Sequence, residues 1–184
     1  GDRAENLQKA IIAYQKALTV YKKNQFPIDW ARTQNNLGIA YSEAIGVDKA
    51  ENAENRDNGI KAFYLALEVY TKNDFPKDWA ETQKNLGIVY SKRIKGTKAA
   101  NQEKAIIAYQ RALGVYTRND FPTEWAATQN NLGIAYSNRV CGDRAENNQR
   151  AIEAFQLALE VYGESDYAVE RAAIEKNLSS LIAN

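Results

Sequence analysis

Histidine and methionine are absent from this chain, cysteine occurs once, proline three times, and no apolar run is long. The missing histidine removes the side chain most often used as a general base and as a metal ligand. No phosphate-binding glycine loop and no cluster with metal-ligand spacing takes its place. Carboxylate pairs such as Asp78 and Glu81 occur, but they stand at helix starts, where acids favour the helix dipole. An enzyme is therefore not expected, and neither is a catalytic residue, a cofactor or a metal. Charge of one sign is also missing. The 24 Lys and Arg face 23 Asp and Glu, a net of +1. Such a surface lacks the positive charge that neutralises phosphates, so no nucleic-acid partner and no membrane partner are expected. No apolar stretch approaches the roughly 18 residues of a membrane helix, and no secretory leader is visible. With Cys141 alone no internal disulfide can form, and the cytoplasm is the expected compartment. The lack of an initiator methionine points to a fragment or a processed form.

What is present is repetition. "QFPIDWARTQNNLGIAYSEA" begins at Gln25, "DFPKDWAETQKNLGIVYSKR" at Asp74 and "DFPTEWAATQNNLGIAYSNR" at Asp120. Trp30, Trp79 and Trp125 stand 49 and 46 residues apart (79 − 30 and 125 − 79). Tyr21, Tyr70, Tyr116 and Tyr162 close four copies of a second phrase with the same stagger. The period is 46, with three extra residues in one unit. They fall in "KAENAENRDN" (Lys49 to Asn58), and a connection is the expected place for them, because three residues inside a helix turn one part about 60° against the other.

Each unit carries two helical patterns. Trp30, Gln34, Leu37, Gly38 and Tyr41 make one face of an α-helix, and Ile11, Tyr14, Ala17, Leu18 and Tyr21 make another. Pro27, Pro76 and Pro122 suit first helical turns, where a missing N–H costs nothing. Gly46, Gly96 and Gly142 suit helix ends. "DRAE" at Asp2 and Asp143 and "DKAE" at Asp48 read as variant capping boxes. "GDRAEN" has two readings, a loop or a first helical turn. The predicted spans are 5–23, 28–45, 56–72, 77–95, 102–118, 123–140, 148–163 and 167–182. They make an all-α chain of about eight helices in antiparallel hairpins, stacked in sequence as one solenoid over 1–184.

"LGIAY" (Leu37–Tyr41), "LGIVY" (Leu86–Tyr90) and "LGIAY" (Leu132–Tyr136) resemble the first helix of a tetratricopeptide repeat (TPR). "AIIAYQKA" (Ala10–Ala17), "AIIAYQRA" (Ala105–Ala112) and "AIEAFQLA" (Ala151–Ala158) resemble its second helix. The repeat is longer than the usual ~34 residues, and glutamine (Gln34, Gln83, Gln129) fills the usual tryptophan slot. Such long units are similar to arrays in large bacterial proteins, some of which carry a caspase-like CHAT peptidase domain. The resemblance implies a right-handed superhelix acting as a protein–protein interaction scaffold. The last copy is blurred: Arg171 replaces the tryptophan, Ser179 the glycine and Ile182 the tyrosine, which reads as a terminal cap. The array starts at the second helix of a unit. An exposed apolar strip with parts of Leu7, Ile11, Tyr14 and Leu18 is expected there, open to self-association or to an upstream domain.

A second stripe runs along each first helix, about 200° from the core stripe. It reads Arg32, Asn35, Asn36, Ile39 and Glu43; then Glu81, Lys84, Asn85, Ile88 and Lys92; then Ala127, Asn130, Asn131, Ile134 and Asn138. In TPR proteins this stripe lines the concave groove, so the resemblance implies that these residues meet a protein or peptide partner. Asn36, Asn85, Asn131 and Asn177 form a ladder through all four copies. An asparagine amide donates and accepts, and so can hold a peptide's C=O and N–H together. It can also bridge neighbouring helices, and both roles stay open at this point. The alternative to a groove ligand is a structural array that associates only with itself.

Overall fold

A computed structural model describes residues 3–44, 48–163 and 167–182. Among them the chain forms eight α-helices and no strand. They are α1 (Arg3–Val20), α2 (Pro27–Glu43), α3 (Lys49–Ala66) and α4 (Pro76–Lys92), then α5 (Lys98–Leu113), α6 (Pro122–Ser137), α7 (Arg144–Tyr162) and α8 (Ala168–Ile182). The chain divides into two compact units, Gly1–Gly96 and Thr97–Asn184.

Local chemistry sets the helix starts. Pro27, Pro76 and Pro122 each occupy the first helical position of α2, α4 and α6. The residue before a proline is pushed out of the helical region, and Phe26, Phe75 and Phe121 take that place with extended φ values. Each phenylalanine packs on the tyrosine five residues earlier, with ring centroids 6.0, 5.7 and 5.6 Å apart. These aromatic pairs pin the turn into the next helix. At α3 and α7, Asp48 and Asp143 accept the backbone N–H of Glu51 and Glu146 at 2.9 and 2.8 Å. Thr97 does the same for Ala100 at α5. "DRAEN" is thus the first turn of a helix. Asp2 and Gly46 lie outside the described residues. Gly96 and Gly142 take left-handed φ values of 81° and 78° in the connections beyond α4 and α6.

One expectation about the insertion is overturned. The three extra residues do not lie in a connection, because Lys49–Ala66 is one helix. From the cap to the closing tyrosine is 22 residues for Asp48 and Tyr70 (70 − 48) but 19 for Asp143 and Tyr162 (162 − 143). The added turn sits at the α3 start, where Lys49, Ala50 and Glu51 are exposed. The 60° offset therefore turns solvent-facing residues and leaves the packed half of α3 in register.

In the first unit α1 packs on α2, α2 on α3 and α3 on α4; in the second the order α5, α6, α7, α8 repeats this. The pairs are antiparallel. In the α2–α3 hairpin Gly38 lies against Phe63 while Gly59, four residues earlier than Phe63, lies against Tyr41 and Ser42. A methyl on Gly38 would come 2.7 Å from the Phe63 ring, and one on Gly133 would come 2.7 Å from Phe155. Glycine is needed there for close approach, and added bulk would cost about 1–3 kcal/mol. Leu37, Leu86 and Leu132 are buried, as are Tyr90 and Tyr136. Trp30 and Trp79 are half-buried against Ala31, Ala66 and Tyr70.

Conjugate pairs tie second helices to the ends of first helices. Asp57 of α3 takes Arg93 at 2.8 Å and Lys95 at 3.2 Å. Glu103 of α5 takes Arg139 through both oxygens at 2.6 and 3.0 Å. The strip expected on α1 is differently placed. Ile11 is buried, and Tyr14 and Leu18 pack with it against Leu37 and Ala40 of α2. The exposed apolar residues at that end are Ile12, Val20, Tyr21, Phe26 and Ile28.

Candidate ligand groove

The threonines and asparagines of the first helices occupy separate seams. Thr33, Thr82 and Thr128 are buried and return their hydroxyls to the carbonyl four residues earlier, at 2.6, 2.7 and 2.6 Å. The Thr82 hydroxyl shares its one proton with Asn35 Oδ1, 3.1 Å away, across from α4 to α2. Asn35 is therefore a buried bridge between helices, and as placed it does not face a groove. The register explains this: it sits two residues after Thr33, over the neighbouring first helix. Its counterpart in the second unit, Asn130, finds no such donor. Ile174 stands in the threonine slot of α8, and Asn130 Oδ1 is buried without a hydrogen-bond partner.

The next residue along behaves differently. Asn36 and Asn85 in the first unit, and Asn131 and Asn177 in the second, are all half-buried. None of their side-chain amides bonds to a described residue. Asn85 Nδ2 is fully buried and unpartnered. The bridging expected of one asparagine ladder is thus done by its neighbour Asn35, and the ladder itself keeps its donors and acceptors unspent.

In the second unit this stripe opens into a groove of about 350 Å³ between α6 and α8. Ile134, Ser137 and Asn138 form one wall, and Asn177, Ser180 and Leu181 the other. Arg144, the first residue of α7, closes it and is the one charged residue among its described lining. Arg144 donates to the carbonyl of Ser137 at 2.7 Å, which holds the guanidinium at the rim. Asn138 donates to the Ile134 carbonyl at 2.9 Å, leaving its oxygen free to accept. Sequence reasoning names Ile134, Asn138 and Asn177 here but misses Arg144, Ser137, Ser180 and Leu181. The available signal was the slot shared by Arg3, Lys49, Lys98 and Arg144, a base at the start of every second helix.

Other predicted residues are partly committed elsewhere. Arg32 pairs with Asp29 at 3.4 Å. Glu43 is paired with Arg3 at 3.1 Å. Ile39, Lys84 and Ile88 are half-buried and Lys92 is exposed. A smaller recess of about 250 Å³ lies between α6 and α7, beside Tyr136 and Arg150. Arg150 there is engaged, bonding Glu146 at 2.6 Å and the Tyr136 hydroxyl at 3.4 Å. Gln110 also donates to that hydroxyl at 3.0 Å. In the first unit burial, and then the Tyr64 hydroxyl 3.2 Å away, push the Tyr90 phenol above its ordinary range.

Among the described residues no group of three or more His, Cys, Asp or Glu could hold a metal ion. No described helix is long and apolar enough to cross a membrane. No protein-family model, no curated protein and no solved structure matches the chain.

Proposed function

We propose that the chain is a protein–protein interaction scaffold, a TPR-like solenoid whose first helices bind an extended peptide or partner segment along the asparagine stripe. One observation carries this reading: four asparagine amides at equivalent slots, all half-buried and all without a partner among the described residues. A structural ladder would spend these groups on neighbouring helices, as Asn35 does. A ligand that covers such an amide must supply both C=O and N–H, because an amide group taken out of water without a partner is costly. A peptide backbone supplies them at regular intervals. Ile134 and Leu181 offer apolar contact beside the amides. A largely preformed groove loses little ordering entropy on binding.

The test is selection of short peptides of random sequence on the immobilised chain. The intact protein should enrich a consensus. Asn131→Ala with Asn177→Ala should weaken the selected peptides about tenfold with an unchanged helical circular dichroism signal. Equal affinity in the double variant would remove the asparagines from the binding surface.

A second reading, self-association, has its own observation. Tyr70 and Tyr162 are 3% and 5% exposed, but Tyr21 in the same slot is 36% exposed, with Phe26 at 45% and Val20 at 64%. That end presents an apolar face to solvent.

A further inference from the structure

Arg3 and Arg144 occupy the same position, the first residue of a second helix, and the structure shows what that position does when a carboxylate is within reach. Arg3 bonds the carboxylate of Glu43, at the end of α2, at 3.1 Å. Counting forty residues on (43 − 3), the corresponding partner of Lys98 is Asn138 and that of Arg144 falls on Asn184, neither of which carries a charged side chain. The base is kept and the acid is not. Among the described residues Arg144 has no carboxylate partner, only the Ser137 carbonyl. Its remaining N–H donors border the groove that holds Asn177, Ile134 and Leu181.

We infer that this groove selects an acidic residue, Asp or Glu, at one fixed position of a bound peptide, with Arg144 taking the side-chain carboxylate. The inference rests on the peptide-binding reading above. The ligand carboxylate occupies the place that Glu43 fills on Arg3. A planar guanidinium meets a carboxylate through two parallel N–H donors, which fixes orientation as well as charge. Asn177 then lies within the same groove for the adjoining peptide group, and Ile134 (36% exposed) with Leu181 meets an apolar neighbour. Among the described residues no acid lines the groove to repel such a ligand. The expected ligand is thus an acid next to an aliphatic residue in extended backbone.

The experiment selects random peptides, acetylated and amidated so that only side chains carry charge, on the intact chain and on Arg144→Gln and Arg144→Glu. The intact chain should enrich Asp or Glu at one position. Arg144→Gln should weaken the acidic peptides about threefold to tenfold and erase the preference at that position while other positions keep theirs. Arg144→Glu should replace the acid with Lys or Arg. Added salt should weaken binding to the intact chain more than to Arg144→Gln. An acid preference that survives both variants overturns the inference. Peptides that bind without any acid preference also overturn it but leave the scaffold reading intact. A chain that enriches no peptide removes that reading itself.

Discussion

At the residue scale, one slot decides whether an asparagine holds the fold or is stranded in it. Asn35 and Asn130 are equivalent, and both are directed into a seam between first helices. Asn35 receives the Thr82 hydroxyl; Asn130 has a buried oxygen with no donor, because the threonine slot of α8 is Ile174. A buried hydrogen bond contributes about 0.5–1.5 kcal/mol, whereas an unsatisfied polar atom costs about 1–3 kcal/mol. Asn35→Ala should therefore destabilise by about 1 kcal/mol, and Asn130→Ala should be neutral or stabilising. Urea unfolding of the two variants checks this, and equal losses would refute the assigned difference. Of the ladder asparagines one position further on, Asn85 shares this cost through its buried, unpartnered Nδ2, whereas Asn36, Asn131 and Asn177 have no such atom.

At the scale of the element, the conjugate acids and bases lock second helices against first helices. Burial alone would raise the Asp57 carboxyl. Hydrogen bonds from Arg93 and Lys95, with their positive charges, outweigh it and hold the group below the usual carboxylate range. A lowered native pKa adds stability above the ordinary unfolded value of about 3.9, and that stability is lost as pH falls through the native value. The α3–α4 pairing should therefore weaken on acidification below about pH 5. Asp57→Asn should cost about 1.5–3 kcal/mol at neutral pH and flatten that acid limb. Denaturant midpoints measured across the acid range give the answer; a limb as steep in the variant as in the parent would assign the loss to other carboxylates. The Asp57 side chain is only 20% exposed, so solvent screens the pair less than it does Arg3–Glu43, with side chains 78% and 49% exposed.

At the scale of the whole molecule, the uneven treatment of equivalent tyrosines matters most. Tyr70 packs with Trp30 and Ala31, and the Tyr162 hydroxyl reaches the Thr123 carbonyl at 3.2 Å. Each is covered by the first helix before it, whereas Tyr21 stands open beside Phe26 and Val20. Apolar surface of this kind gains roughly 25 cal/mol per Å² when covered. The sedimentation coefficient should rise with protein concentration, and Val20→Ser with Phe26→Ser should abolish the rise without altering the proposed peptide binding between α6 and α8. A parent chain that stays monomeric at every concentration would overturn the self-association reading.

Periodicity was enough to place eight helices, because a stripe of large and small apolar residues at helical spacing has few other ways to be buried, and because proline before a helix leaves its preceding residue little choice. The predicted starts of α3, α5 and α7 came late by seven, four and four residues (56 − 49, 102 − 98 and 148 − 144). Polar first turns carry no apolar stripe, so spans drawn from the stripe start late even where Asp48 and Asp143 mark the cap. Half of the groove, Ile134, Asn138 and Asn177, was legible in the same way, as a stripe opposite the core. Packing alone decided the rest. Whether Asn35 or Asn36 is spent on a neighbour depends on which one meets Thr82 across the seam. Arg144 joins the groove because an antiparallel return brings the start of α7 beside the end of α6. A sequence repeats its residues, but it does not say which copies find a partner; that depends on what stands next to each one in space.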